Sequence, residues 1–595
     1  MPIPPAPSRT LPATVPAAVP AAAPSALPSP LPSPLPSADD AVVHTLLNCL
    51  LREVSAPERE ATVENGHLLL RLPLCRTVLR ARLRRTSLLG AHRFTGPVTR
   101  QRNSDGDGTW TEVSPRELAA LVHAELTIRT GVRNDEFLQQ VASSHEGVAA
   151  GLEPRPPAPA SRYLESEQAL LFGHRFHPTP KARSAGRAAW AAWAPEARAA
   201  FPLRHLAVRT ELVAQECARP GATAVLDRLG PVPDGYTLLP AHPWQYELLT
   251  GHPELVAALD RGDILDLGTG GDPFTATASV RTLHGGGAFL KFSLNVRITN
   301  CLRKNASYEL TGAVALTRLL GPVLDELASR FPGHAVLREP AFRSVDLNGD
   351  TALLEGFGVI VRDSLEQHLS PGATPLLAAA VADEYPTSSA HVSRLLDGAG
   401  PHATLDWWDA YLRLLLPPVL AAYLDHGVVL EPHLQNVLLC VDGAGRPAQV
   451  LFRDLEGTKL LPGPHAARLA ALPPAVAAAM TYDPRRGWDR VVYCLLVNTV
   501  SDTLAALADL HPQLEPALWR SVRSVLHDHA ARHGCPPRLR ALLAGAPLPA
   551  KANLLTRWRR RADREAEYIR IPSPLAQGVL SQGPRPGPLF EAWSA

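Results

Sequence analysis

With 595 residues, 46% of them hydrophobic, the chain is too long for a single core and should divide into two to four domains or subdomains. Its 59 basic and 57 acidic residues leave a net charge of +2, which gives no global field to attract nucleic acid or an anionic membrane. Seven cysteines, odd in number and without a C-x-x-C pair, argue for reduced thiols in a cytoplasm and against a zinc site or disulfide frame.

In chain order, residues 1–38 are a Pro/Ala/Ser/Leu tract that cannot build a core and reads as a disordered extension. The N-terminus lacks the basic region and unbroken apolar run of a secretory signal. A helical region begins near Asp40. Ser114-Pro115-Arg116-Glu117 is a capping box that should open an amphipathic helix through about Ile128. The proline-rich break at Pro154 to Pro159 reads as a boundary, so 39–155 is one helical and β subdomain. Residues 156–345 mix helices and strands. Residues 346–595 continue with short strands, a helix from Asp406 to Asp425, a hairpin and a mainly helical end. The apolar run Leu412 to Leu424 is too short, and too interrupted by Arg413, Pro417 and Pro418, to cross a bilayer. The fold class is α+β.

The stretch Ser279 to Asn300 reads as a β-hairpin around Gly285, Gly286 and Gly287. Leu290, Phe292, Leu294, Val296 and Ile298 alternate with Lys291, Ser293, Asn295 and Arg297, which predicts one core face and one polar face. A three-glycine loop would set Arg281 opposite Lys291 and Ser279 opposite Ser293. Two cations facing across a ladder repel unless something anionic lies between them.

A second hairpin, NVLLCV–DGAGRP–AQVLFRD, is framed by Glu431-Pro-His433-Leu-Gln435-Asn436 and by Arg453-Asp454-Leu-Glu456-Gly457. A loop amide before such a hairpin and an Asp after it are how kinase-like folds hold Mg²⁺ against phosphate oxygens. A P-loop is excluded, because no lysine follows a glycine, and no G-x-G-x-x-G is present. Two further clusters are Gly173-His174-Arg175-Phe176-His177-Pro178-Thr179-Pro180-Lys181, with Gly186 beyond, and His242-Pro243-Trp244-Gln245. The first suits a basic loop closing over phosphates. The second is equally a turn around a buried Trp. Only five of the 59 basic residues are lysine (181, 291, 304, 459 and 551), and each lies in or beside a polar cluster.

The blocks GHRFHPTPKARSAG, HPWQ, SVRT, KFSLNVRITNCLRKN, EPHLQN, FRDLEG and KANLLTRW, in this order from about residue 40 to 575, resemble the NRPS-independent siderophore synthetases, the aerobactin-synthetase superfamily. The resemblance implies a hand-like fold: 39–155 as thumb, 156–345 as fingers, 346–595 as a distantly kinase-like palm with a helical C-terminal part, and a homodimer. It implies ATP-dependent adenylation of a carboxylate, followed by attack of an amine or hydroxyl. Carried over by motif, Ser279, Arg281 and Lys291 bind phosphates, with His174, His177 and Lys181 closing over them. Arg303 and His433 bridge the α-phosphate and the acid, and Gln435 and Asn436 position nucleotide or metal. Asp454, with Glu456 or Glu431 as helpers, holds Mg²⁺, while Lys551 and Arg557 reach the acid. Arg175 departs from the family's usual proline (GHPxHP). ITNCLR favours free citrate. A citrate or succinate monoamide, 2-oxoglutarate, or a kinase-like phosphotransfer remain the alternatives.

Overall fold

The computed structural model describes residues 35–102, 108–183, 190–298, 301–562 and 565–576. Residues 1–34 of the expected extension, Gly186 and Asn300 therefore lie outside the described residues. Residues 36–595 form one compact unit, and the fold is mixed α+β.

The N-terminal part packs helices Ala38–Leu50, Pro115–Thr130 and Asp135–Leu152 against a five-stranded antiparallel meander in chain order. Its central helix opens as the capping box requires. Ser114 N–H donates to Glu117 at 3.0 Å, Glu117 N–H donates to Ser114 Oγ at 3.3 Å, and Gly131 closes the helix at φ 68°. A helix from late in the chain returns to this core. In the helix Asn553–Trp558, Leu554 and Trp558 are fully buried in it, and Trp558 donates to Thr130 Oγ1 at 3.0 Å.

The middle of the chain builds an eight-stranded antiparallel sheet that curls into a half-barrel. Its neighbours run Val213–Cys217, Ala341–Val345, Val359–Arg362, Ala288–Phe292, Thr282–Gly285, Ile264–Ala276, Ala200–Arg209 and Tyr236–Ala241. Because Val359–Arg362 lies inside this sheet, the boundary expected at residue 345 cuts through one structural layer.

The glycine hairpin forms, but one residue out of the expected register. Gly286 and Gly287 both have positive φ, 57° and 71°, so the loop is a two-residue turn and Gly285 joins the ladder opposite Ala288. Lys291 then faces Thr282, not Arg281. Gly285 is required for a separate reason: a Cβ there would lie 2.8 Å from the Phe274 ring. The second run also breaks at Ser293, beyond which Leu294–Ile298 pairs with Cys301–Arg303 instead. Lys291 and Ser293 are as buried as Leu290 and Phe292, so the expected polar face is an interior one.

A mixed four-stranded sheet, His334–Val336, Pro447–Phe452, Val437–Val441 and Thr374–Leu377, carries the second hairpin as expected. It packs with the helices Ser307–Arg330, Pro401–Leu424 and Glu515–His533 in the largest core. The stretch Pro484–Leu510 is long and apolar enough to cross a membrane, yet its whole apolar window is buried in the protein, as befits a core helix. The six described cysteines are free thiols.

Candidate active site

A cavity of about 460 Å³ collects side chains from every part of the described chain. One wall is the turn Thr277–Arg281, where Val280 takes φ 69°. Glu167 fixes this turn by accepting from Ala278 N–H at 3.0 Å, and Gln435 Nε2 donates to the Ala278 carbonyl at 2.9 Å. Glu167 is fully buried and also pairs with the buried guanidinium of Arg453 at 2.5 Å. Arg453 in turn donates to the Gln435 carbonyl at 2.9 Å. One buried ion pair thus bolts the SVRT turn, the EPHLQN loop and the FRDLEG strand end together.

Arg281, Lys291 and Asp454 meet at this wall. Arg281 Nη1 donates to Asn305 Oδ1 at 2.5 Å, and Asn305 Nδ2 donates to the carbonyls of Lys291 and Gly358, spanning the strand break. Lys291 Nζ lies 2.6 Å from Asp454, 3.0 Å from Glu456 and 3.8 Å from Glu339. Arg362 joins Glu339 and Asp454 at 2.7 and 2.8 Å. Burial works against the Lys291 charge, but Asp454, Glu339 and Glu456 outweigh it and hold the ammonium above its usual value. Burial would likewise raise Asp454, yet Lys291 and Arg362 keep it well below the ordinary carboxylate range. Lys291 is therefore balanced by carboxylates of the protein itself. The facing pair of uncompensated cations expected from the hairpin does not exist, because the register moved and three acids fill the gap.

Asp454 sits in the left-handed region at φ 72°, which Asp tolerates better than most residues. Its side chain is 31% exposed and lines the cavity beside Asn436. Glu456 turns its Oε2 onto Lys291, and both oxygens of Glu431 are taken by Arg490 at 2.7 Å. Among the described residues no three His, Cys, Asp or Glu side chains form a self-sufficient metal site. Mg²⁺ needs less from the protein, one or two hard oxygen ligands with phosphate oxygens and water completing the octahedron. Asp454, whose Oδ1 is taken by Lys291 and Arg362, fits that requirement through its other oxygen together with Asn436, whereas Glu456 is not in the lining and Glu431 is held by Arg490.

His174, His177, Lys181, Ser279, Arg303, His433 and Lys551 also line the cavity. Burial lowers His174, and it pushes His433 down to about 4 against the pull of Glu431, so both imidazoles are neutral at pH 7. Lys181 Nζ donates to the Leu170 carbonyl at 2.5 Å and lies 3.5 Å from Glu196. Three of the five lysines thus reach one cavity. Lys304 instead pairs with Glu355. Arg557 is not in the lining: it is buried and bonded to Gln140 and Glu136 on the helix Asp135–Leu152, where it clamps the helix Asn553–Trp558. The HPWQ block is also elsewhere. His242 precedes the helix Pro243–Leu249 without a side-chain cap bond, Trp244 packs edge-on against Trp190, and Gln245 accepts from Asn295 N–H at 2.8 Å.

Sequence reasoning missed Glu167, Arg362, Glu339 and Asn305 as supports, and Asn48, Asp383, Glu384 and Asp502 in the cavity lining. A charged residue inside an otherwise apolar strand, such as Arg362 after Val-Ile-Val, was the available signal for the first group. Nothing local marks the second.

The sequence and the fold have known counterparts. Residues 162–383 match the IucA / IucC family, and 405–567 match the family described as ferric iron reductase FhuF-like transporter. The N(2)-citryl-N(6)-acetyl-N(6)-hydroxylysine synthase of Escherichia coli is 30% identical over 406 residues, 62% of this chain and 67% of that protein. The rhizobactin siderophore biosynthesis protein RhbC of Rhizobium meliloti (strain 1021) is 29% identical over 573 residues, 90% of this chain and 97% of its own. The ATP-bound aerobactin synthetase IucA from a hypervirulent pathotype of Klebsiella pneumoniae superposes with a TM-score of 0.80 at 25% identity, covering 90% of this chain and 99% of that one. The chain belongs to the IucA / IucC family of NRPS-independent siderophore synthetases.

Proposed function

We propose that this protein is an AMP-forming ligase of siderophore biosynthesis that adenylates citrate and joins it to an amine. The observation that carries the reading is the convergence of Arg281, Lys291, Arg303 and Lys551 with Asp454 on one cavity. Two relatives that bear on the substrates are named spermidine-citrate ligase, from Bacillus anthracis, and L-2,3-diaminopropanoate–citrate ligase, from Staphylococcus aureus. The middle and C-terminal parts act as fingers and palm, and the N-terminal part as thumb.

A citrate carboxylate and a triphosphate repel, so the work of the site is to place fixed positive charge between them. Lys291, positioned by its three carboxylates, binds a phosphate oxygen by exchanging one of those partners for it. Arg281, aimed by Asn305, binds alongside it, and Ser279 adds a hydroxyl from the same turn. Arg303 and Lys551 hold the citrate carboxylates near the α-phosphate. His433, neutral, donates or accepts a hydrogen bond there and adds no charge. His174, His177 and Lys181 border the phosphates from the loop above, while Gln435 and Asn436 orient the nucleotide. When Mg²⁺ is bound, Asp454 and Asn436 hold it, and the ion offsets charge on the phosphate oxygens. The carboxylate oxygen forms a bond to the α-phosphorus as pyrophosphate leaves. The amine then attacks the acyl carbon, and AMP departs.

Product analysis tests this. With ATP, Mg²⁺, citrate and an amine, AMP and pyrophosphate should accumulate in equal amounts, and 2-oxoglutarate or a succinyl-hydroxamate should substitute poorly for citrate. Accumulation of ADP would instead establish the kinase-like phosphotransfer.

A further inference from the structure

The helix Asp135–Leu152 carries in its interior three residues that favour a helix poorly, Ser143, Ser144 and Gly147. A glycine there costs about 1 kcal/mol against alanine, so its presence asks for a close approach that a side chain would block. That approach is made by Lys181. A Cβ on residue 147 would lie 2.7 Å from the Lys181 carbonyl oxygen and 2.9 Å from the Lys181 Cβ. The two serines bond the same stretch of chain. Ser144 Oγ accepts from Lys181 N–H at 3.1 Å. Ser143 Oγ accepts from Arg183 N–H at 3.1 Å and donates to the Arg183 carbonyl at 3.0 Å.

Lys181 and Arg183 line the active-site cavity, whereas among the described residues none of the helix Asp135–Leu152 does. The helix therefore reaches the site through the segment docked on it. It is itself anchored by Arg557, which bonds Glu136 and Gln140. Beyond the docked backbone, Lys181 Nζ donates to the Leu170 carbonyl at 2.5 Å and lies 3.5 Å from Glu196. An ammonium has three donors, so one remains.

We infer that Ser144 and Gly147 are positioning residues for nucleotide binding: they seat the Lys181 backbone on the helix so that its remaining ammonium hydrogen meets a phosphate oxygen of ATP. The inference rests on the ligase reading above and on the place given there to Lys181. A methyl group at residue 147 pushes the Lys181 backbone off the helix, and misplacing a binding group by about 1 Å can cost about a hundredfold in rate. Loss of the Ser144 hydroxyl removes one bond and leaves the close approach intact, so its effect is smaller.

Citrate-dependent ATP–pyrophosphate exchange, titrated with ATP and with citrate in the full-length protein, tests it. Gly147→Ala should raise the KM for ATP roughly tenfold and Ser144→Ala roughly threefold, with kcat and the citrate KM within about twofold of the parent. Lys181→Gln should raise the ATP KM by itself, and Gly147→Ala added to it should change nothing further. Should Gly147→Ala fail to fold, Ser144→Ala alone and combined with Lys181→Gln reads the same pattern. An ATP KM within about twofold of the parent in both Gly147→Ala and Ser144→Ala overturns the inference. So does an unchanged ATP KM in Lys181→Gln, because the helix would then be seating a lysine that meets no phosphate. A rise in the citrate KM equal to that for ATP, or a Gly147→Ala effect that adds in full to Lys181→Gln, makes the role structural and overturns it too. In all these outcomes the unsubstituted protein still exchanges and the ligase reading stands. If the unsubstituted protein shows no citrate-dependent exchange, the ligase reading falls and this inference with it.

Discussion

Lys291 shows how one side chain serves two ends. Its side chain is 2% exposed and its ammonium sits among Asp454, Glu456 and Glu339, so it holds three carboxylates together at the lining of the cavity. Replacing it by alanine leaves those acids with Arg362 as their remaining close cation. Lys291→Ala should cost about 3–5 kcal/mol of stability, as breaking a buried charge network does, and should abolish citrate-dependent pyrophosphate release. Denaturant unfolding and a pyrophosphate assay check the two halves. A variant as stable as the parent would refute the network, and one with near-normal turnover would refute the catalytic placing. The expectation that Arg281 faces Lys291 across the ladder was wrong, and the anionic partners of Lys291 are the protein's own carboxylates. Alternation along a strand shows which residues share a face, but not which acids from other strands arrive to meet them.

The glycine hairpin and the loops of the second hairpin show where sequence was legible and where it stopped. Both hairpins were readable from turn residues between alternating runs. The register of the first was not, because three consecutive glycines admit two turn lengths and the choice is made by close packing of Gly285 on Phe274. The blocks EPHLQN and FRDLEG came out on one cavity because they flank a hairpin whose ends are held together. That joint is Arg453 with Glu167, both buried, and Glu167 lies 286 residues away with no local signature. Glu167→Gln should therefore lower stability by about 3–5 kcal/mol, since it strands the Arg453 charge, and should loosen the Ala278 turn. A melting temperature within a degree of the parent would contradict this. Arg557 was misplaced for the complementary reason: a motif shows that a residue matters, but the helix it sits on turned it toward Glu136 and Gln140.

The molecule carries several buried imidazoles that burial keeps neutral. Burial pushes His92, His334, His391, His433 and His529 down to about 4 and His242 to about 3, and it lowers His44, His174 and His284. Each binds its proton more weakly folded than unfolded. Between the ordinary histidine value of about 6.5 and about 4, the unfolded chain takes up more protons, and stability is lost as the pH falls through that window. Glu53, pushed up to about 8, and Asp383, pushed up to about 7, act in the opposite sense, as do Asp502 and Glu515, but they are fewer. The thermal midpoint should drop steadily from pH 6.5 to 4.5. A flat profile would mean that these histidines are hydrated in solution.

Such a molecule, three parts closing on one cavity of mixed charge, stands or falls on whether citrate and ATP react there. The most direct measurement is exchange of labelled pyrophosphate into ATP with no amine present. Label should enter ATP when citrate and Mg²⁺ are both added and should not enter when citrate is omitted. Absence of label with citrate present, under conditions where the protein is folded and hydrolyses ATP to ADP, would contradict the adenylation chemistry on which the account depends.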